Sequence, residues 1–370
     1  MMAGDCEDWP TFEASNLEFN MAEVRRFSTR LMMQGENPDI SKADLNKNKD
    51  ISDKNRKVLG AQNASSFVSN FTKKKIIVDE VDKKERKAEI IKVETVTVKK
   101  AVVRKDSSCL LPEEFEDIGH HLHFLEQQRA LPITFLDNSV VSARMRQILV
   151  DWMMMVHERF GLEHETFHLG VTLLDRCFYV MKNIKKGDLQ LLAATCMFLA
   201  SKYEEVSIPH IGDFVYMADN SFTAKDMFRI ESKIFAACHF NVNFPLAVTF
   251  LRRYRYYLDN SKTAHFYSKM IMDLAHFDAI LCCKLPSIIA ICANYLSYVL
   301  VGTDFPFSIL STIGFTKSKV LHESSDFVDR VISFMSSKKD SALRRKYGRI
   351  QISMDLTDEQ KNRLLALKFN

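Results

Sequence analysis

The sequence predicts an all-α protein: two tandem bundles of about five helices each, preceded by an N-terminal helix and a disordered tail. Three observations carry this. Glycine (11 of 370 residues) and proline (8) are scarce, and these are the residues that break helices. From about Leu111 onward, apolar residues recur at helical spacing. Two segments, Leu191–Ala200 and Ser287–Leu300, are apolar on nearly every side and contain small residues, which marks helices surrounded by others that approach closely. They stand at matching points of two blocks of about 100 residues, a pattern that implies duplication.

The elements follow in order. Pro112-Glu113-Glu114 opens the N-terminal helix region (111–136) with proline and acids in the first turn; Phe115, Ile118, Leu122 and Leu125 follow at helical spacing, and Pro132 ends it. The first bundle (137–244) begins with a helix from Ser139 to Phe160, whose Met145, Ile148, Leu149, Trp152, Val156 and Phe160 form one stripe and which Gly161 stops. Helices over Thr166–Tyr179, Asp188–Glu204, Ile211–Met217 and Thr223–Cys238 complete it. The second bundle (245–340) is read as Leu246–Leu258, Thr263–Ala275, Ser287–Leu300, a helix near Ser308, and Ser318–Ser336. Residues 341–370 read as a basic patch and a short terminal helix.

The formal net charge of +4 hides three regions. Residues 1–40 carry 3 basic and 8 acidic side chains, residues 41–105 carry 18 and 9, and the remainder is balanced. A neutral apolar body behind a charged front end is a folded unit plus a tail. Residues 1–110 hold too little apolar surface to offset the entropy of ordering them. Ile90–Val103 alternates β-branched and polar residues but has no partner strand. The clusters Lys73–Lys75 and Lys83–Lys87 have the layout of a two-part nuclear import signal, so a nuclear location, with cytoplasm as well, is the expectation; a solvated charge run explains them equally. No aromatics interleave with these cations, so direct nucleic-acid binding is not expected. Eight cysteines without C-x-x-C or paired spacing argue against a zinc ribbon or a disulfide framework and for a reduced, intracellular protein. The N-terminus lacks an apolar signal core. The one candidate span, Leu285–Gly302, carries Ser287, Asn294 and Ser297, so it is read as a core helix and no membrane partner is expected.

The motifs resemble those of a known family. Met145-Arg146-Gln147-Ile148-Leu149-Val150-Asp151-Trp152 is similar to the opening signature of the first cyclin box. Glu165-Thr166-Phe167-His168-Leu169, Leu174-Asp175-Arg176, Leu189-Gln190-Leu191, Ala200-Ser201-Lys202-Tyr203-Glu204-Glu205 and Phe214-Val215-Tyr216 continue it in order. Phe250-Leu251-Arg252-Arg253-Tyr254 resembles the start of the second box in mitotic B-type cyclins, with a lean toward the third animal subgroup. The resemblance spans about residues 112–340 and implies two tandem five-helix cyclin-box bundles.

It also implies a function: a non-enzymatic subunit that binds and activates a mitotic cyclin-dependent protein kinase as a heterodimer, helps select substrates at G2/M, and is destroyed through the mitotic ubiquitin ligase. By family position, Lys202 and Glu231 make the polar kinase contacts. Leu199, Tyr203, Phe235, Phe240 and Val242 supply apolar contact, with Phe115 and Ile118 from the preceding helix; ordinary core packing is the alternative for the apolar five. Met145, Ile148, Leu149, Trp152, Leu189 and Gln190 resemble a docking patch for Arg-x-Leu substrate segments, although the same stripe fits a core face, and Gln147 stands where the family commonly has alanine. Arg146 and Asp175 lie where cyclins have a buried ion pair. His265 and Lys269 share a helix face at i, i+4, and with Arg252 they resemble a pocket for phosphorylated partners; a solvated basic face is the alternative. Arg56 and Leu59, in Arg56-Lys57-Val58-Leu59-Gly60, resemble a destruction-box core, with Ala64 where the usual asparagine falls. No Ser-Pro or Thr-Pro occurs.

Two other classes compete. A cyclin-fold transcription factor binding DNA or polymerase is disfavoured by the neutral body and the lack of a zinc ribbon. A metal hydrolase rests on His164-Glu165-Thr166-Phe167-His168, a formal H-E-x-x-H. Gly161 just upstream places His164 ahead of the helix, and no later ligand falls at a familiar spacing, so no metal or other cofactor is expected. His120, His121 and His123 form another group, but no Cys or acid completes a plausible metal site.

Overall fold

The computed structural model describes residues 112–137, 139–181, 183–258, 261–349 and 355–368. The predicted tail, including Arg56, Leu59 and both lysine clusters, lies outside the described residues.

The regular structure among the described residues is helical. It comprises α1 (Pro112–Gln128), α2 (Ala143–Phe160), α3 (His164–Val180), α4 (Leu189–Glu204), α5 (Ile211–Met217), α6 (Ala224–Ala237), α7 (Ala247–Arg255), α8 (Lys262–Phe277), α9 (Pro286–Val301), α10 (Lys317–Ser336), α11 (Ala342–Gly348) and α12 (Asp358–Ala366). Boundaries follow local chemistry. α2 starts after Ser142, whose hydroxyl accepts from the Met145 N–H at 3.2 Å; the expected start at Ser139 is early because Ser142 is the cap. Gly161 ends α2 at φ 60°, donating its N–H to His157 O, a left-handed position that suits glycine. Thr223 and Asp226 form a reciprocal capping box at α6. Two expectations change. The segment near Ser308 makes only a single 3-10 turn, Phe307–Ile309, and the C-terminal extension holds two helices rather than one.

The two all-apolar segments are the central helices. Every residue of α4 from Leu189 to Ser201 is buried, as is every residue of α9 from Ser287 to Tyr298. The candidate span Leu285–Gly302 is therefore a core helix, and no helix among the described residues is long and apolar enough to cross a membrane. α3 lies against α4 at Gly170, where an added Cβ would stand 2.7 Å from the Met197 sulfur. Only glycine permits that approach without displacing the sulfur.

The bundles are fastened by buried polar groups. Arg146 on α2 donates from Nε and Nη2 to the two Asp175 oxygens on α3, both at 2.6 Å. Its Nη1 reaches across to His276 O on α8 at 2.9 Å, so the pair ties the second bundle to the first as well as helix to helix. Burial opposes charge on both partners and lifts the Asp175 carboxyl, but Asp175 pushes Arg146 above its ordinary value, and the paired short bonds keep both ionised. α1 is held by the second bundle: Glu126 accepts from Ser287 N at 2.9 Å and Ser287 Oγ at 2.7 Å, placing a carboxylate at the N-terminus of α9.

Candidate functional site

Lys202 lies in the last turn of α4 and Glu231 mid-way along α6, and their side chains form an ion pair. The Lys202 ammonium also stands 4.6 Å from the Phe198 ring centroid. Apolar groups surround the pair. Tyr203 is 51% exposed and Phe240 77%. Phe235 stacks on Phe240 with centroids 6.1 Å apart and planes 17° from parallel. Phe235 and Val242 are half-buried against the core, and Leu199 is buried beneath them. His239 and Phe240 have φ of 51° and 59°, a left-handed conformation that costs side-chain-bearing residues about 1 kcal/mol or more each. A strained turn thus holds a phenylalanine in water. Sequence reasoning missed Phe228, also 52% exposed; it lies three residues before Glu231 as Phe235 lies four after, a spacing that was legible on α6.

On α1, Ile118 is exposed while Phe115 is engaged internally. Arg253 stands 3.9 Å from the Phe115 centroid, Tyr256 packs at 4.8 Å, and Arg253 Nη2 contacts Glu116 at 3.2 Å.

The predicted docking stripe comes together but is not accessible. Met145, Leu149, Trp152, Leu189 and Gln190 are buried, and Ile148 is half-buried. The expectation of an open groove is corrected here: five of the six groups sit inside, where a docking peptide does not reach them.

The basic cluster does assemble. Arg252 on α7 pairs with Glu165 on α3, so one cation of the pocket already faces a carboxylate. His265 is lowered to about 3 by burial and by Arg255, Lys269 and Arg252, and Lys269 is lowered to about 8, chiefly by burial. Arg255 Nη1 stands 3.4 Å from His265 Nε2 and was not foreseen as a member; it is three residues beyond Arg252 on the same helix face. Arg253 points elsewhere, to α1.

The reasoning that set His164 ahead of the helix is also corrected. His164 is the first residue of α3, because Leu162 and Glu163 suffice to restart the chain after Gly161. His164, His168 and Asp273 on α8 converge with ligand atoms within 4.8 Å of one another. The set surrounds an ammonium: Lys346 Nζ lies 2.9 Å from Asp273 Oδ2 and 3.4 Å from His164 Nδ1. Tyr347 donates to the same Oδ2 at 2.7 Å, and His168 Nε2 lies 2.8 Å from Oδ1. Burial pushes Asp273 up, but Lys346 and the two histidines outweigh it and hold the carboxyl well below the usual range. His164 is lowered to about 3 by burial and Lys346. These distances suit a cation, and the lysine side chain supplies it; the cluster clasps α11 to both bundles.

Two bundles with central apolar helices and an exposed pair-centred face define a class, and comparison with known proteins agrees. Residues 117–243 match the cyclin N-terminal domain and residues 245–356 the cyclin C-terminal domain. The chain belongs to the cyclin family. It is 36% identical over 247 residues to a G2/mitotic-specific cyclin-B of Hydra viridissima, covering 65% of this chain and 61% of that protein. It is 34% identical to one of Patella vulgata, covering 66% and 60%. Within the family the similarity is to B-type cyclins, and the chain spans about three fifths of the length of these curated relatives. In structure it is similar to a viral cyclin from herpesvirus saimiri (TM-score 0.51, 20% identity, 58% of this chain and 96% of that one) and to a chain of the yeast RNA Pol II CTD kinase CTDK-1 complex (TM-score 0.51, 15% identity, 66% and 81%); at these identities the likeness concerns the fold.

Proposed function

We propose that the chain is the regulatory, non-catalytic subunit of a mitotic cyclin-dependent protein kinase, which it binds as a heterodimer and activates by favouring the kinase's active arrangement. The observation that carries this reading is the Lys202–Glu231 pair flanked by exposed Tyr203 and by Phe240 on a strained turn. Leu199, Phe235 and Val242 back that face, and exposed Ile118 on α1 adds a further surface. Arg252, His265, Lys269 and Arg255 act as the pocket for phosphorylated partners. Docking of Arg-x-Leu segments on the Met145–Trp152 stripe requires that stripe to be uncovered first. Nuclear import through the lysine clusters, and destruction through the mitotic ubiquitin ligase acting on Arg56 and Leu59, belong to the same proposal.

The test is co-purification with a mitotic cyclin-dependent kinase followed by a phosphorylation assay, with wild type beside a Lys202→Ala, Glu231→Ala double variant. Wild type is expected to bind and activate, and the double variant to do neither. A wild-type chain that captures no such kinase refutes the reading.

A further inference from the structure

Where the end of α1 meets the junction of the bundles, a cavity is lined by Glu126, Arg129, Asp175, Arg176, Phe244 and Lys284 among others. Most of its charges are matched. Glu126 is engaged by Ser287, Asp175 by Arg146, and Lys284 by Glu323 and Asp326. Arg129 and Arg176 differ. Neither forms an ion pair with a described residue, yet both guanidiniums are held at one ring, with Cζ 5.6 Å and 5.7 Å from the Phe244 centroid. Arg129 Nη1 is buried and has no hydrogen-bond partner. Burial, and then the like charge of Arg176, lower Arg129 from its ordinary value, while Tyr203 acts on it in the opposite sense.

Two like charges side by side, with a buried donor unsatisfied, are costly in a free protein. The arrangement lacks one anion. Phe244 follows Val242 of the Tyr203–Phe240 face by two residues and donates its N–H to Val242 O at 3.1 Å, so the cavity adjoins the face that a bound polypeptide would cover. Of the arginines and lysine that line the cavity, only these two lack a carboxylate partner among the described residues. Guanidinium forks suit a carboxylate's paired oxygens.

We propose that Arg129 and Arg176, held at Phe244, form a receptor for one acidic side chain of the protein that covers the Tyr203–Phe240 face. This rests on the kinase-subunit reading, in which that protein is the kinase.

The full chain is titrated with a purified mitotic cyclin-dependent kinase by calorimetry, as wild type and as Arg129→Gln, Arg176→Gln and Lys202→Ala, Glu231→Ala variants. Each arginine variant is expected to weaken binding about tenfold, with a shallower salt dependence. The melting temperature of the free Arg129→Gln chain is expected to hold or rise, since like-charge repulsion and an unsatisfied buried donor are removed together; a residue that only packs gives the opposite sign. Kinase affinity within twofold of wild type in both arginine variants, while the Lys202, Glu231 variant loses binding, overturns this inference and leaves the kinase reading intact. A melting temperature that falls by several degrees in Arg129→Gln also overturns it. A wild-type chain that binds no kinase overturns both.

Discussion

Replacing Arg146 by alanine tests the account of how the two bundles are joined. The side chain is fully buried, makes two 2.6 Å bonds to Asp175, itself 3% exposed, and donates across the junction to His276 O. Removing it leaves an uncompensated carboxylate in the interior, at a cost of about 3–5 kcal/mol. It also removes the Nη1 donor from the His276 carbonyl, at roughly 1 kcal/mol. Together these give a loss of about 4–6 kcal/mol. At about 2–4 °C per kcal/mol for a folded unit of this size, melting falls by about 8–24 °C. The informative comparison is Arg146→Met with Asp175→Leu, which removes both charges and refills the volume. That double variant is expected within about 2 kcal/mol of wild type. Urea denaturation of the full chain, followed by far-ultraviolet circular dichroism, reads both. A single variant that loses under 1 kcal/mol, or a double variant worse than the single, refutes the reasoning that the cost lies in the orphaned charge.

Three further outcomes are expected. Phe240→Ser leaves the urea midpoint within experimental error, since the ring is 77% exposed, yet weakens kinase binding by a factor of about ten or more, as for an aromatic anchor; calorimetry beside a melt checks both. Phosphopeptide binding to the basic pocket weakens as pH rises through about 8, where Lys269 loses its proton; a flat profile between pH 7 and 9, or the same profile in Lys269→Gln, removes Lys269 from the pocket. His164 is lowered to about 3, so the unfolded chain takes up its proton near pH 6.5 and the folded chain does not. Stability therefore falls as pH drops from about 6.5 toward 3, by about 1.4 kcal/mol per pH unit for this group; His164→Gln should reduce that slope between pH 6 and 5 by one proton's worth, and an unchanged slope contradicts the assignment.

Periodicity made the helices legible, because α4 and α9 are apolar all round, Gly161 ends α2, and Pro286 opens α9. It was less informative about which face is covered. Met145, Leu149 and Trp152 share a stripe whether that stripe meets a peptide or the core, and their burial depends on the rest of the protein. Arg252 and Arg253 are adjacent in sequence, but neighbouring helix positions diverge by about 100°, so one enters the basic pocket and the other grips α1. His168 and Asp273 lie 105 positions apart, a distance at which no spacing rule operates; only the fold joins them, with Lys346 between. The exposure of Phe240 depends on a left-handed His239–Phe240 turn that contains no glycine to announce it. The Arg129–Phe244–Arg176 group was hidden for the same reason, as its three members come from the turn after α1, from α3 and from the linker between bundles.

The anchoring of α1 sets an order of events during synthesis. This helix leaves the ribosome before either bundle, yet Glu126 finds its donors on Ser287, 161 positions later, and Phe115 and Glu116 find Arg253 after an interval of 137–138. At translation rates of about 5–20 residues per second, the helix waits roughly 10–30 s for its seat. The first bundle can close in that interval on local contacts; the N-terminal helix docks afterwards, across a loop that contains a whole folded bundle. A fragment ending near residue 243 therefore carries α1 as an undocked amphipathic segment.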